Sequence, residues 1–326
     1  MMTFGWKRSR PTVGAAADPR HAMDGAAGGD AGDLYDPAFL AALDGFSLRI
    51  AEAQKGGRLA DQRTSARGQG ADFADFRSYA AGDDLRTIDW NLYRRLGKLF
   101  VRVFEEQQDL PVYLLIDVSR SMYAETPRRI DAARRVALGL ASVALRQHDA
   151  VTVLPFSDDV ATTLRGVNGK ANVARVAQAL AMLRPGGGTE LASVIRQLAA
   201  TRMRRGLLVV ISDFFDAEGI VNTVAGMRTL RHRLLLVQMV RAHDADPALD
   251  PALTGDVTLQ DDETADGIAL TITPDLVAAY LKAYRAFNRQ LHEFADGAAV
   301  GLMRIDAGDD VLAQMTAFFA GGRMPS

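Results

Sequence analysis

The run "VYLLIDVSRSM", Val112 to Met122, places Asp117, Ser119 and Ser121 two residues apart at the end of an apolar segment. An extended strand end with that spacing turns all three side chains to one side. Three oxygen-bearing groups aimed at one small volume bind hard cations or phosphates. Two other stretches carry the same chemistry: Thr189 closes "RPGGGTE" before a helix start, and Asp213 ends the apolar run "LLVVISD". Two carboxylates, three hydroxyls and water make the all-oxygen set that magnesium prefers, with manganese second. Two carboxylates neutralise a divalent ion, hydroxyl ligands leave it electrophilic, and an open coordination position can accept a carboxylate from a partner protein. The bland alternative makes Ser119 and Ser121 helix caps and leaves Asp117 and Asp213 solvating strand ends.

Positioning such a set requires a particular scaffold. From Leu110 onward apolar strands alternate with amphipathic helices, the pattern of an α/β protein with a parallel sheet covered on both faces. Strands are expected at 112–117, 150–156, 160–164, 207–212, 233–240 and 302–306, and helices at 129–147, 171–183, 191–203, 217–230, 274–295 and 311–319. The link "SDD" before Val160 is too short for a parallel crossover, so 160–164 is expected as an antiparallel edge strand. If the second and third strands lie to one side of the first and the fourth to the other, the order reverses between the strands ending at Asp117 and Asp213. Open α/β sheets bind ligands in that crevice.

Upstream, residues 1–33 are rich in Ala, Gly and Asp without apolar periodicity, which predicts a mobile tail. Asp36 and Pro37 then open a helix with Phe39, Leu40, Leu43, Phe46 and Ile50 at helical spacing. "KLFVRVFEE" alternates as a strand does. The chain is therefore expected to divide into the tail, a small helix and β subdomain at 34–109, and the metal-binding sheet domain at 110–326 with an acidic insert at 244–270. In "YAAGDDLRTIDWNLYRR" acids, arginines and aromatics crowd together, and an internal cluster of ion pairs and rings is favoured over a docking surface. The eight acids from Asp244 to Asp266, with no base among them, read as a solvated loop and hairpin.

Composition excludes several functions. The 326 residues are 48% apolar with a formal net charge of -2, and no long basic block suggests nucleic acid as the partner. The absence of cysteine removes thiol chemistry. The apolar runs fall short of the roughly 20 residues needed to span a bilayer, so a cytoplasmic protein without a membrane span is expected. The five histidines show no metal-ligand spacing. The catalytic rival is a magnesium-dependent phosphatase with Asp117 as nucleophile, as in haloacid-dehalogenase enzymes, but Ser119 stands where those usually carry a second aspartate. "GGGT" lacks the lysine and spacing of a P-loop.

"DVSRSM", "GGGTEL" and "ISDFFD" resemble the three loops of the metal-ion-dependent adhesion site of von Willebrand factor A domains. The segment from "FADFRSYAAGDDLRTIDW" through "DVSRSM" is similar to the signature of the bacterial domain-of-unknown-function family fifty-eight, and "DDETADG" resembles that family's acidic strand-pair insert. Arg94 stands where family members often carry a small residue. The resemblance, over about residues 34–310, implies an open doubly wound von Willebrand factor A-like sheet with Asp117, Ser119, Ser121, Thr189 and Asp213 as ligands of Mg2+ or Mn2+. It further implies a non-catalytic adaptor that works with a MoxR-type AAA ATPase in complex assembly, metal insertion or stress response, and that meets a client protein supplying an acidic ligand.

Overall fold

The computed structural model describes residues 4–6, 37–55, 72–81, 83–105, 110–124, 126–216, 219–247, 255–261 and 267–321. Apart from residues 4–6, the tail expected at 1–33 lies outside them. The chain forms two compact units, Met1–Ala51 with Leu110–Ser326, and Glu52–Asp109. The first two elements, β1 (Phe4–Trp6) and α1 (Pro37–Lys55), are followed by β2 (Asp72–Ser78), α2 (Trp90–Leu96) and β3 (Phe100–Glu105).

In the smaller unit β2 and β3 pair antiparallel. The acids between them serve local structure. Asp84 accepts from the Arg86 N–H at 3.0 Å, and Asp89 caps α2 by accepting from the Asn91 and Leu92 N–H groups. Asp83 pairs with Arg77 at 2.7 Å. Gly97 ends α2 at φ +66°, the left-handed geometry that glycine adopts without a Cβ penalty. The aromatic half of the expected internal cluster is not buried: Trp90 and Tyr93, stacked edge to face, are 59% and 43% exposed.

The larger unit runs β4 (Val112–Asp117), α3 (Arg120–Tyr123), α4 (Arg129–Arg146), β5 (Val151–Phe156), β6 (Leu164–Val167), α5 (Val173–Ala181) and α6 (Leu191–Ala200). It continues with β7 (Leu207–Ser212), α7 (Ile220–Met227), β8 (Arg233–Val240), α8 (Ala242–Ala245), β9 (Gly255–Asp261), β10 (Gly267–Ile272), α9 (Pro274–Gly297), β11 (Gly301–Asp306) and α10 (Val311–Ala320). Six strands make one sheet in the order β11-β8-β7-β4-β5-β6. All its pairings are parallel except β5 with β6.

Alternate residues of each strand face opposite layers. Leu114 and Ile116 of β4 join Val209, Ile211, Val237 and Ile305 beneath α1, α4, α5 and α10. Leu115 joins Leu208, Val210 and Leu236 beneath α6, α7 and α9. Each fully buried side chain of this size contributes about 1.5–3 kcal/mol, so both faces hold the strand ends in register. The order matches the expected reversal, with β5 and β6 on one side of β4 and β7 on the other.

Helix α1 was grouped by sequence with the segment after it, but it belongs to the sheet unit as far as Ala51. Phe46 is fully buried against Phe319 of α10, and the Arg146 Nε–H of α4 donates to Ser47 Oγ at 2.6 Å. Gly139 of α4 permits this close packing, since a Cβ there would meet Met315 Cε at 2.9 Å and Phe46 Cε1 at 3.7 Å. The edge strand falls at Leu164–Val167, not at 160–164. Val160 makes only an isolated bridge to Phe156, and Gly166 at φ +57° donates its N–H to Thr152 Oγ1 through an irregular register.

The acidic segment does contain a hairpin, β9 with β10, and β1 adds to its edge. Its acids at 262–266 lie outside the described residues. No helix among the described residues is long and apolar enough to cross a membrane.

Candidate metal centre

The loops after β4 and β7 leave neighbouring parallel strands and meet at the reversal of strand order. Asp117 closes β4 with both oxygens engaged. Its Oδ1 accepts the Ser119 N–H at 2.9 Å and its Oδ2 accepts the Ser212 hydroxyl at 2.6 Å. Ser119 precedes α3 but makes no side-chain capping bond. Its hydroxyl instead lies 3.0 Å from that of Ser121, which donates to Asp213 Oδ2 at 3.3 Å. The capping alternative thus fails for Ser119, and four of the expected residues form one hydroxyl and carboxylate chain.

Thr189 is buried, and the loop that leads to it lies against the end of β4. The Gly186 N–H donates to the Val118 carbonyl at 2.7 Å, and the Arg120 N–H donates to the Gly187 carbonyl at 3.4 Å. A Cβ on Gly186 would collide with Ser157, so glycine there lets this loop lie against the β4 and β5 ends, while one on Gly187 would meet only the exposed Asp158 side chain. Asp117, Ser119, Ser121, Thr189 and Asp213 are all less than 5% exposed.

The turn after β7 aims Asp213. Phe214 adopts φ +63°, a conformation that costs a bulky residue on the order of 1–3 kcal/mol, and its fully buried ring holds it there. Its N–H donates to Ser212 Oγ at 2.9 Å, while the Phe215 N–H donates to Asp213 Oδ1 at 3.1 Å.

Burial governs the electrostatics of the cluster. Burial, reinforced by the Asp213 carboxylate, pushes Asp117 up to about 7 against the bonds from Ser212 and Ser119. Burial also raises Asp213, although Arg129 opposes the shift. Two carboxylates driven toward neutrality among hydroxyl oxygens fit a divalent cation, which would restore both to the charged form. Among the described residues no three His, Cys, Asp or Glu side chains gather into a metal-binding group, so hydroxyls must complete any set here. Asp117, Ser119, Ser121, Thr189 and Asp213 would hold the ion, which would supply an electrophilic centre for an anionic oxygen.

A pH dependence follows. The Asp117 carboxyl has its folded pKa above the ordinary 3.8, so its contribution to stability is full below that value and is lost as pH rises through about 7. The metal-free protein is expected to lose denaturation midpoint across this window, and saturating Mg2+ to flatten the loss. Chemical denaturation at a series of pH values, with and without Mg2+, checks it. A flat metal-free profile would contradict the assigned cause.

Three buried groups near the site had no signal in the sequence. Ser212 orients Asp117 from the neighbouring strand. Arg129 at the start of α4 sets Nη1 3.6 Å from Asp213 Oδ2 and donates through Nη2 to both oxygens of Asp244, each at 2.7 Å. Asp244, expected in a solvated acidic loop, is thereby buried in α8, because Arg129 compensates its charge where water cannot.

An open, mostly parallel α/β sheet with an oxygen-lined cluster at its order reversal is the arrangement that the von Willebrand factor A resemblance implies. The family model "Protein of unknown function DUF58" matches residues 75–290, and the chain belongs to that family. Uncharacterized proteins of Mycobacterium tuberculosis and Mycobacterium bovis are 26% identical to it over 300 residues, covering 90% of this chain and 92% of each relative. Among solved structures, the conserved hypothetical protein BatB from Bacteroides thetaiotaomicron aligns with a TM-score of 0.38 and 16% identity over 65% of this chain and 98% of that one. The pilus adhesin SpaC from Lactobacillus rhamnosus GG aligns with a TM-score of 0.40 and 12% identity over 67% of this chain and 30% of that one. Proximal thread matrix protein 1 from the mussel byssus, with a zinc-occupied MIDAS motif, aligns with a TM-score of 0.32 and 14% identity over 41% of this chain and 38% of that one.

Proposed function

We propose that this protein is a non-catalytic, divalent-metal-dependent adaptor in the cytoplasm, which uses Asp117, Ser119, Ser121, Thr189 and Asp213 to hold Mg2+, or Mn2+ in its place. The partner would complete the coordination with a carboxylate of its own. The observation that carries this reading is the meeting of two buried carboxylates and a serine pair at the β4 and β7 ends, with burial pushing both acids toward neutrality. A MoxR-type AAA ATPase is the partner that the family resemblance supports, with a client protein bound in complex assembly or stress response.

The phosphatase alternative has less support. The Ser119 hydroxyl faces that of Ser121, so the loop of Asp117 supplies no second carboxylate beside it. Ser119 also cannot serve as the acid and base of such an enzyme.

The test is co-purification of the tagged protein with a MoxR-type ATPase from the same organism in Mg2+ and in EDTA, beside turnover of p-nitrophenyl phosphate. Retention in Mg2+, release in EDTA and no turnover are expected. Turnover lost in Asp117→Asn would overturn the adaptor reading in favour of hydrolysis.

A further inference from the structure

Arg129 is an unusual neighbour for a cation site. It is 7% exposed and stands 3.6 Å from a carboxylate assigned to the metal. A guanidinium that closed fully onto Asp213 would occupy that carboxylate in place of the ion. Its geometry shows why it does not. Both of its hydrogen bonds run from Nη2 to Asp244, its approach to Asp213 is an ion pair without a hydrogen bond, and its buried Nε has no hydrogen-bond partner.

Asp244 is in turn held from several directions. The Arg241 N–H donates to its Oδ2 at 2.8 Å, the Tyr280 hydroxyl donates to its backbone carbonyl at 2.9 Å, and His243 Nε2 lies 4.0 Å from its Oδ1. Arg241 directs its Nη2 onto the Ala124 carbonyl, which follows the helix carrying Ser121. Two carboxylates, Asp213 and Asp244, therefore face the Arg129 guanidinium, the first through charge alone and the second through both of its oxygens.

We propose that Asp244 is a positioning residue for the divalent site: by gripping Arg129 through both oxygens it keeps the guanidinium from closing on Asp213. This rests on the metal-binding reading above. Asp244 touches no ion itself. It works through Arg129, and loss of its charge returns Arg129 to Asp213.

Isothermal titration of MgCl2, repeated with MnCl2, into the metal-stripped full chain tests it with four proteins: the parent, Asp244→Asn, Arg129→Gln and the double variant. Asp244→Asn is expected to weaken binding at least about tenfold, since Arg129 then has a single anion to neutralise. Arg129→Gln is expected to tighten binding, and the double variant to stay within a few fold of Arg129→Gln, because Asp244 then has no guanidinium to hold. That rescue separates positioning from a merely structural role, because removing both members of a purely structural pair would not restore what the first loss took away. Circular dichroism establishes that each protein is folded, and if Asp244→Asn is not, the comparison of Arg129→Gln with the double variant decides the matter. Equal affinity in the parent and Asp244→Asn, or a double variant as weak as Asp244→Asn, overturns the proposal alone. No binding of either metal by the folded parent overturns both the proposal and the metal-binding reading.

Discussion

Asp117→Asn is expected to make the metal-free protein more stable at about pH 8 while abolishing its response to Mg2+. The carboxylate sits fully buried beside Asp213, and its pKa of about 7 against the ordinary 3.8 means that ionising it in the fold costs up to about 4 kcal/mol. Asparagine removes that cost and still accepts the Ser119 N–H. It does not accept the Ser212 hydroxyl where its NH2 replaces Oδ2, and reversing that bond takes back about 1 kcal/mol. The net gain of roughly 2–3 kcal/mol corresponds to a thermal midpoint higher by about 5–10 °C for a domain of this size. The parent, by contrast, gains stability with Mg2+ by mass action, about 2.7 kcal/mol at a hundred times its dissociation constant. Differential scanning fluorimetry with and without MgCl2 therefore shows the gap between the two proteins closing, as the parent's midpoint rises and the variant's does not. A variant that melts lower than the parent in EDTA, with equal Mg2+ shifts in both, would mean that Asp117 is a structural residue and that the site holds no ion.

Strand positions were legible because a central parallel strand must be apolar on both faces. "VYLLID", "LLVVIS" and "RLLLVQMV" permit no other reading, and they are β4, β7 and β8 as found. The short link at "SDD" likewise disclosed the antiparallel edge, although Gly166 moved its location. Asp117, Ser119 and Ser121 were legible because spacing of two at a strand end converts directly into a shared direction. Helix α1 showed its apolar stripe but not the surface that receives it, since Phe46 finds its partners at Gly139, Met315 and Phe319, far along the chain. Arg129 and Asp244 lie 115 residues apart, and Ser212 and Asp117 lie 95 apart. No local pattern marks such pairs, and they become visible only when the fold closes.

Asp216 shows the same limit and carries the second large effect. It lies in the quoted "ISDFFD", yet its work is done on other elements. Its Oδ2 accepts the Ala192 N–H at the start of α6 at 2.8 Å and the Thr223 hydroxyl of α7 at 3.3 Å. Helix α6 has no side-chain capping bond from its own N-cap, Glu190, so Asp216 caps it from across the structure. Asp216→Ala is expected to lower stability by about 2–4 kcal/mol, because it leaves a buried N–H and a buried hydroxyl without this acceptor. The midpoint should fall by about 5–12 °C. The loss should also reach the metal site, since Thr189 stands two residues before Leu191, where α6 begins. Once α6 is loosened, Mg2+ affinity should drop several fold at temperatures where the variant is still folded. Asp216→Asn, which keeps one carbonyl acceptor, should lose less than half as much of both. Thermal melts and Mg2+ titrations on the same preparations read the two effects together. Stability within about 1 kcal/mol of the parent would show that α6 is capped by water and that the Asp216 bond is incidental.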